Sequence, residues 1–281
     1  MTRLFTGGAR VTHEDRTEAF YSHGVEHYGT FHGNYLNFGL WENHITDYVA
    51  AAEHLLTRVA NKIQLGKDSV LLDVACGMGT QDAFWMQRFG CRAIEAVDLT
   101  AKHIAIATQR NRFPNVGFRV GDACVLPFAA DTFTHVTAIE GVVHFNPRER
   151  FYREAHRVLM PGGRLGMSDF CLGRAPRTAF EQWVVRVVQW AWHVPRENAD
   201  TVQTYATKLE GAGFSAVDVE VVSDAVVPGY VVEQRRPEIR RQMYRIRGPV
   251  IGRLGLIIDW LVDTMYRMQL LAYILVSARK L

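Results

Sequence analysis

The chain has 281 residues, 48% of them hydrophobic, which suffices for an extensive core and lies near the upper size for a single domain. Its formal net charge of +3 is too mild to argue for nucleic acid as a partner. Cys76, Cys91, Cys124 and Cys171 form no C-x-x-C spacing and no zinc pattern with the histidines, so no metal is expected; Met1–Arg16 lacks the apolar stretch of a secretory signal, and free thiols in a reducing cytoplasm are the simplest reading.

In chain order, residues 1–65 read as a mainly helical cap, with apolar residues at helical spacing from Tyr48 to Val59 and a polar approach, Asn61–Lys67, to the first strand. Val70, Leu71, Leu72 and Val74 suit a central parallel strand covered on both faces. That strand runs into a turn where Gly77 and Gly79 allow positive φ and close approach of a ligand to the backbone. A helix from Thr80 to Phe89 follows, offering its first N–H groups to an acceptor and stopping at Gly90. Ile94–Val97 predicts a second strand ending in Asp98, where a carboxylate can accept both hydroxyl hydrogens of a ribose. Val116 opens a third strand that ends in Asp122, and Asp131–Glu140 makes a fourth. Asn146-Pro-Arg-Glu149 predicts an N-cap, an N1 proline and an N3 glutamate for a helix burying Phe151, Ala155, Val158 and Leu159. Pro161-Gly-Gly163 then leads into strand five, Arg164–Asp169.

An insertion over 172–200 carries Phe180, Trp183, Val184, Val187, Val188 and Ala191 on one helical face, with Trp190 and Trp192 close by. It reads either as a lid over an apolar substrate or as a core helix on the sheet edge. Val202–Leu209 is a further helix, stopped by Gly211-Ala-Gly213, and Ala216–Val222 is strand six. Arg235, Arg236, Arg240, Arg241, Arg245, Arg247 and Arg253 face only Glu233 and Glu238; the cluster suits an anionic substrate group or peripheral contact with an acidic membrane, while a solvated helical face is the commoner explanation. Leu254, Ile257, Ile258, Leu261, Val262 and Met265 line another helix, which Asp259, Asp263 and Arg267 interrupt too often for a membrane span. Gln269–Ser277 closes the chain as a nearly unbroken apolar strand.

A dinucleotide turn wants a third glycine at the position of Asp82, whose carboxylate would repel a pyrophosphate. Together with Asp73, the D-x-x-C-G-x-G-T segment resembles motif I of the class I S-adenosylmethionine (SAM) methyltransferases. Arg157-Val-Leu-Met-Pro-Gly-Gly163 resembles the R-V-L-x-P-G-G turn of the same family, with Asp98 and Asp122 between the two in the right order. The resemblance implies an α/β, Rossmann-like seven-stranded sheet whose last strand is antiparallel between five and six. It divides the chain into a helical N-terminal segment, 1–65, and a SAM-binding core, 66–281, with the helical lid at 172–200. It also implies that SAM is held by Tyr21, Asp73, Ala75, Gly77, Gly79, Gln81, Asp98, Leu99, Asp122, Ala123 and Glu140.

Tyr21-Ser-His-Gly-Val-Glu-His-Tyr28 and Gly33–Trp41 resemble the N-terminal segment of a subgroup that methylates sterols, tocopherols, glycine derivatives and natural-product aglycones. There a leading tyrosine closes over the methyl donor; Asn37 stands where that subgroup often has histidine. Core packing accounts for Tyr21 equally well. In sugar O-methyltransferases similar to this chain a histidine and an aspartate at the positions of His144 and Asp169 act as base and partner; an ordinary loop histidine and a strand-end cap are the plain alternatives. An unperturbed imidazole at His144, pKa about 6.5, would serve near neutral pH. Ile139-Glu-Gly-Val142 is unlike the Asn/Asp-Pro-Pro-aromatic signature of base-amine methylation, and no cysteine follows a proline, so the acceptor is expected to be an apolar small molecule. The activity implied is methyl transfer from SAM to a natural product, lipid or terpenoid. The alternatives are an enzyme of this fold that catalyses or couples a cyclisation and, from another class, an NAD-dependent oxidoreductase, against which Asp82 and the R-V-L-x-P-G-G segment argue. A homo-oligomer stays open.

Overall fold

Leu71 and Leu72 are neighbours in sequence and both fully buried, yet they belong to two different apolar clusters, one on each face of a sheet. That is the signature of a strand with helices on both sides. The computed structural model describes residues 12–22, 32–42 and 44–281. Its strands are β1 (Val70–Val74), β2 (Ala93–Asp98), β3 (Val116–Val120), β4 (Phe133–Ile139), β5 (Leu159–Leu172), β6 (Ser215–Val221) and β7 (Leu271–Arg279). Its helices are α1 (His13–Ser22), α2 (Tyr48–Lys62), α3 (Thr80–Phe89), α4 (Ala101–Arg110), α5 (Arg148–Val158), α6 (Ala179–Ala191), α7 (Val202–Gly211), α8 (Ser223–Gln234) and α9 (Pro237–Arg267).

The strands form one sheet in the order β3-β2-β1-β4-β5-β7-β6. β7 is antiparallel to both its neighbours, as expected, and pairs with β5 from Arg164↔Arg279 to Leu172↔Leu271. This long pairing is why β5 ends after the span Arg164–Asp169 read from its apolar run, and it begins before that span because Leu159 pairs with Phe133 of β4. The chain reverses direction across the sheet between β1 and β4, and an open α/β sheet binds ligands in the crevice beyond the strand ends at such a point.

Several expectations need correction. Within the segment expected as a cap, Leu55, Leu56, Val59 and Ile63 of α2 are fully buried in the same cluster as Leu71, Ile94 and Leu275 of the sheet. The described part of that segment is mainly helical, over His13–Ser22 and Tyr48–Lys62, with irregular backbone over 33–42 and 44–47. α5 starts at Arg148 with Pro147 as N-cap and no side-chain cap; the Arg148 N–H meets Asn198 Oδ1 at 3.4 Å, so a residue of the insertion does what Asn146 was expected to do. α8 has no counterpart in the sequence reading, because Pro228, Gly229 and a run of valines disguise its helical period. α9 breaks at Gly248 (φ 75, ψ 166), which separates most of the arginine cluster from the apolar arm. Among the described residues no helix is long and apolar enough to cross a membrane.

Candidate active site

The ends of β1 to β4 open on one cavity of about 560 Å³. Beyond β1 the backbone turns through Ala75 (φ 60), Gly77 (φ 56) and Gly79 (φ 74), all left-handed, which only glycine adopts without strain. Asp98 fixes this turn from the end of β2: its Oδ2 accepts from the Gly77 N–H at 2.9 Å, and its Oδ1 accepts from the Thr100 N–H at 2.8 Å and lies 3.1 Å from His103 Nδ1. Ala75, Gly77, Gln81, Asp98, Leu99, Asp122 and Ala123 all line the cavity.

Two of the expected cofactor residues do not. Asp73 is fully buried behind the wall and accepts from Gln81 Nε2 at 2.6 Å and Thr137 Oγ1 at 2.8 Å, so it reaches the cavity only by holding Gln81. A Cβ on Gly79 would stand 2.8 Å from the Phe118 ring; this glycine serves the seating of α3 on β3. Asp82, read from the sequence as repelling a pyrophosphate, is fully buried and off the cavity wall. Burial and the neighbouring Asp73 raise its pKa well above the usual carboxylate value, and burial pushes Asp73 up to about 7. A buried acid that keeps its proton exerts no repulsion on a ligand in the turn.

The other end of the cavity is built from β4, β5 and the added helices. Glu140 (φ 55) leaves β4, and its Oε1 accepts from the Phe38 N–H at 2.7 Å and the Tyr273 hydroxyl at 2.6 Å. Burial outweighs these donors and raises its pKa to about 8. His144 follows in a short 3-10 turn, Val142–His144; its Nε2 lies 2.7 Å from the Tyr21 hydroxyl, and its carbonyl is 2.9 Å from His13 Nε2. α1 thus closes over the site through Tyr21. Burial lowers the His144 pKa to about 4, more than the backbone of His193 and Trp192 restores, which corrects the value near 6.5 expected from the free side chain.

Asp169 is not brought to His144. It sits fully buried behind the wall, where it accepts from the Val143 N–H at 3.0 Å and the Tyr205 hydroxyl at 2.9 Å, with Arg148 Nη1 at 3.6 Å. The strand-end position was legible, but a buried guanidinium has captured the carboxylate. The aromatic wall consists of Phe38 stacked on Tyr230 at 3.5 Å, with Phe170 4.8 Å from Phe38 and 5.4 Å from Trp192. α6 combines both readings of the insertion: Val184, Val185 and Val188 enter the core, while Trp190 and Trp192 at its end reach the cavity. Trp183, expected on the buried face, is 53% exposed and off the wall.

The sequence reading missed His103 and gave no role to Asn34 and Asn37, which lie within the Gly33–Trp41 motif. Asn34 Oδ1, Asn37 Nδ2 and His103 Nε2 are buried on the cavity wall without a hydrogen-bond partner. Such groups are costly unless something binds there, and the place of His103 beside the Asp98 carboxylate suits a nucleoside. His23–Tyr28 of the N-terminal motif lies outside the described residues. Of the arginine cluster, Arg235 pairs with Asp263 at 3.0 Å and Arg236 with Glu233 at 3.0 Å. Neither they nor Arg240, Arg241, Arg245 and Arg253 line the cavity, and the side chain of Arg247 lies outside the described residues.

A family model described as a methyltransferase domain matches residues 72–167. The chain is 34% identical to erythromycin 3''-O-methyltransferase of Saccharopolyspora erythraea over 214 residues, covering 72% of this chain and 69% of that one. It is 29% identical to 27-O-demethylrifamycin SV methyltransferase of Amycolatopsis mediterranei, covering 75% and 77% of the two chains. The crystal structure of the 4+2 cyclase SpnF superposes with a TM-score of 0.76 at 23% identity, covering 96% of both chains; at that identity the likeness shows the fold alone.

Proposed function

The chain belongs to the S-adenosylmethionine-dependent methyltransferases, and from that premise we propose that it methylates a hydroxyl oxygen of an apolar natural-product acceptor. The observation that carries this reading is the single cavity joining the Gly77–Asp98 turn to the aromatic wall, with the Tyr21–His144 pair between them. The two relatives just named, both methylating oxygen by their names, support the choice of atom.

Bound SAM supplies an electrophilic methyl carbon on a sulfonium sulfur. The backbone of Ala75 and Gly77, Gln81, Asp98 with Leu99, and Asp122 with Ala123 would hold the nucleoside and its amino acid tail; with Nδ1 turned to Asp98, the unpartnered His103 Nε2, like Asn34 Oδ1, offers it an acceptor. Asp73 contributes by fixing Gln81. Phe38, Phe170, Trp192 and Tyr230 keep water out and hold the acceptor's apolar body, and alignment of the reacting atoms at about 3–3.5 Å supplies most of the acceleration. His144 takes the hydroxyl proton, directly or through the Tyr21 phenol. With a pKa near 4 it is neutral at pH 7 and free to accept. So weak a base suffices, because a hydroxyl whose oxygen is bonding to carbon becomes strongly acidic.

Labelled SAM with a panel of hydroxylated polyketides and terpenoids identifies the product by mass. On the best acceptor, His144→Ala should lower kcat roughly 10²–10⁴-fold, the usual size of acid–base help, while affinity for S-adenosylhomocysteine stays within a few-fold. The wild-type rate should rise through an apparent pKa near 4. A mutant that turns over at nearly the wild-type rate would make His144 a bystander and favour a nucleophile aligned by the pocket alone.

A further inference from the structure

We propose that the acceptor carries a basic nitrogen, and that Glu140 holds its protonated form while the cavity refuses anions. The inference rests on the methyl-transfer reading and names the chemical class of acceptor for the same site.

The chain contains 32 lysines and arginines, yet among the described residues none lines the cavity. Carboxyl groups do: Glu14, Asp98, Asp122, Glu140 and Asp259. Of the imidazoles on the wall, burial lowers His32 to about 3 and His144 to about 4, and lowers His193 as well. An anionic acceptor would therefore enter a wall that offers carboxyl groups and, among the described residues, no lysine or arginine, which a poorly solvated cavity penalises.

Glu140 differs from the carboxyls of the cofactor end. Asp98 and Asp122 are engaged by backbone N–H groups of the cofactor end, Asp98 from Gly77 at 2.9 Å and Asp122 from Cys124 at 2.8 Å. Glu140 instead stands at the junction with the aromatic wall, bonded to the Phe38 N–H and to Tyr273, whose ring lies 4.8 Å from Phe170. Both donors fall on Oε1, and Glu140 is only half-buried, its open side facing the cavity, so Oε2 is the oxygen left for a ligand. The surrounding rings of Phe38, Phe170 and Tyr230 present faces that attract a cation. Burial holds the carboxyl near pKa 8, and an ammonium arriving at Oε2 would draw it into the ionised form that Phe38 and Tyr273 already favour.

Decylamine, decanol and decanoate, each below its micelle-forming concentration, probe this by isothermal titration of the purified protein with and without S-adenosylhomocysteine. Decylamine should bind at least about tenfold tighter than decanol, the size of one charge-assisted contact, with decanoate weakest. Glu140→Gln should bring the amine down to the alcohol and leave the Kd for S-adenosylhomocysteine within about threefold. Decanoate binding as well as decylamine in the wild type overturns the inference, and this comparison needs no variant. So does a Glu140→Gln protein that loses S-adenosylhomocysteine as strongly as amine, since Glu140 would then serve the cofactor. Failure of S-adenosylhomocysteine to bind at all strikes the methyl-transfer reading instead, while the ranking of the three probes without it still decides the inference.

Discussion

Asp98 gathers more of the site than any other side chain, since one carboxylate anchors the Gly77 turn, caps the loop to α4 through Thr100 and faces His103. Asp98→Ala should weaken binding of S-adenosylhomocysteine by about 1.5–3 kcal/mol through loss of charge-assisted hydrogen bonds, measured by titration calorimetry beside a melting curve. Unchanged affinity would remove Asp98 from the site. This residue was legible because its signal is local: an apolar strand, then an acid. His103 was not, although it lies just beyond Asp98 in the chain, because its value comes from an unpartnered Nε2 that only the closed cavity wall creates. Asp169 fails in the opposite way. Its position at a strand end was read correctly, but Arg148 and Tyr205, distant in sequence, take both its charge and its hydrogen bonds.

The elements with a clean period were found almost to the residue, as for α3 (Thr80–Phe89), which ends on Gly90 in the left-handed conformation. Where two apolar stripes share one helix, period alone does not say which is buried. On α6 the valines won and the Phe180–Trp183 pair was left outside, stacked at 6.0 Å. The aromatic that matters for the acceptor is therefore Trp192, packed on Phe170 and on the cavity wall, rather than Trp183. Trp192→Ala should weaken decylamine binding clearly, with S-adenosylhomocysteine unaffected, whereas Trp183→Ala should change neither and shift stability by no more than about 0.5 kcal/mol, as surface substitutions do. Equal losses of probe binding in the two variants would show that α6 presents a different face. α8 escaped notice for a related reason: tertiary contacts such as Tyr230 on Phe38 hold a segment that propensity disfavours.

For the molecule as a whole, the order of the motifs carried the sheet, since a switch point between β1 and β4 follows from a strand-turn-helix repeat with matching acids. What sequence could not carry is the protonation of the interior, which depends on how completely the cavity wall is sealed. Unfolded, the carboxyls of Asp73 and Glu140 have ordinary values of 3.8 and 4.5; folded, burial raises them to about 7 and about 8. His32 and His144 move the other way, from 6.5 to about 3 and about 4. Between the unfolded values of 4.5 and 6.5, the folded chain holds extra protons on the two carboxyls and the unfolded chain holds a similar number on the two imidazoles, so their contributions to the pH dependence of stability nearly cancel. Above 6.5 the imidazoles are neutral in both states, and the folded chain alone still carries the carboxyl protons that it must surrender on the way to about 8. Asp82 and Asp169, also raised by burial, act in the same direction. Stability of the ligand-free protein should therefore fall as pH rises from about 6.5 to 8, as read from urea unfolding at fixed ionic strength. Glu140→Gln removes one of the protons concerned, so its curve should fall less steeply over that interval. A wild-type curve that climbs from 6.5 to 8 would mean that these carboxyls are already ionised in the fold, and that the cavity wall is wetter than its burial implies.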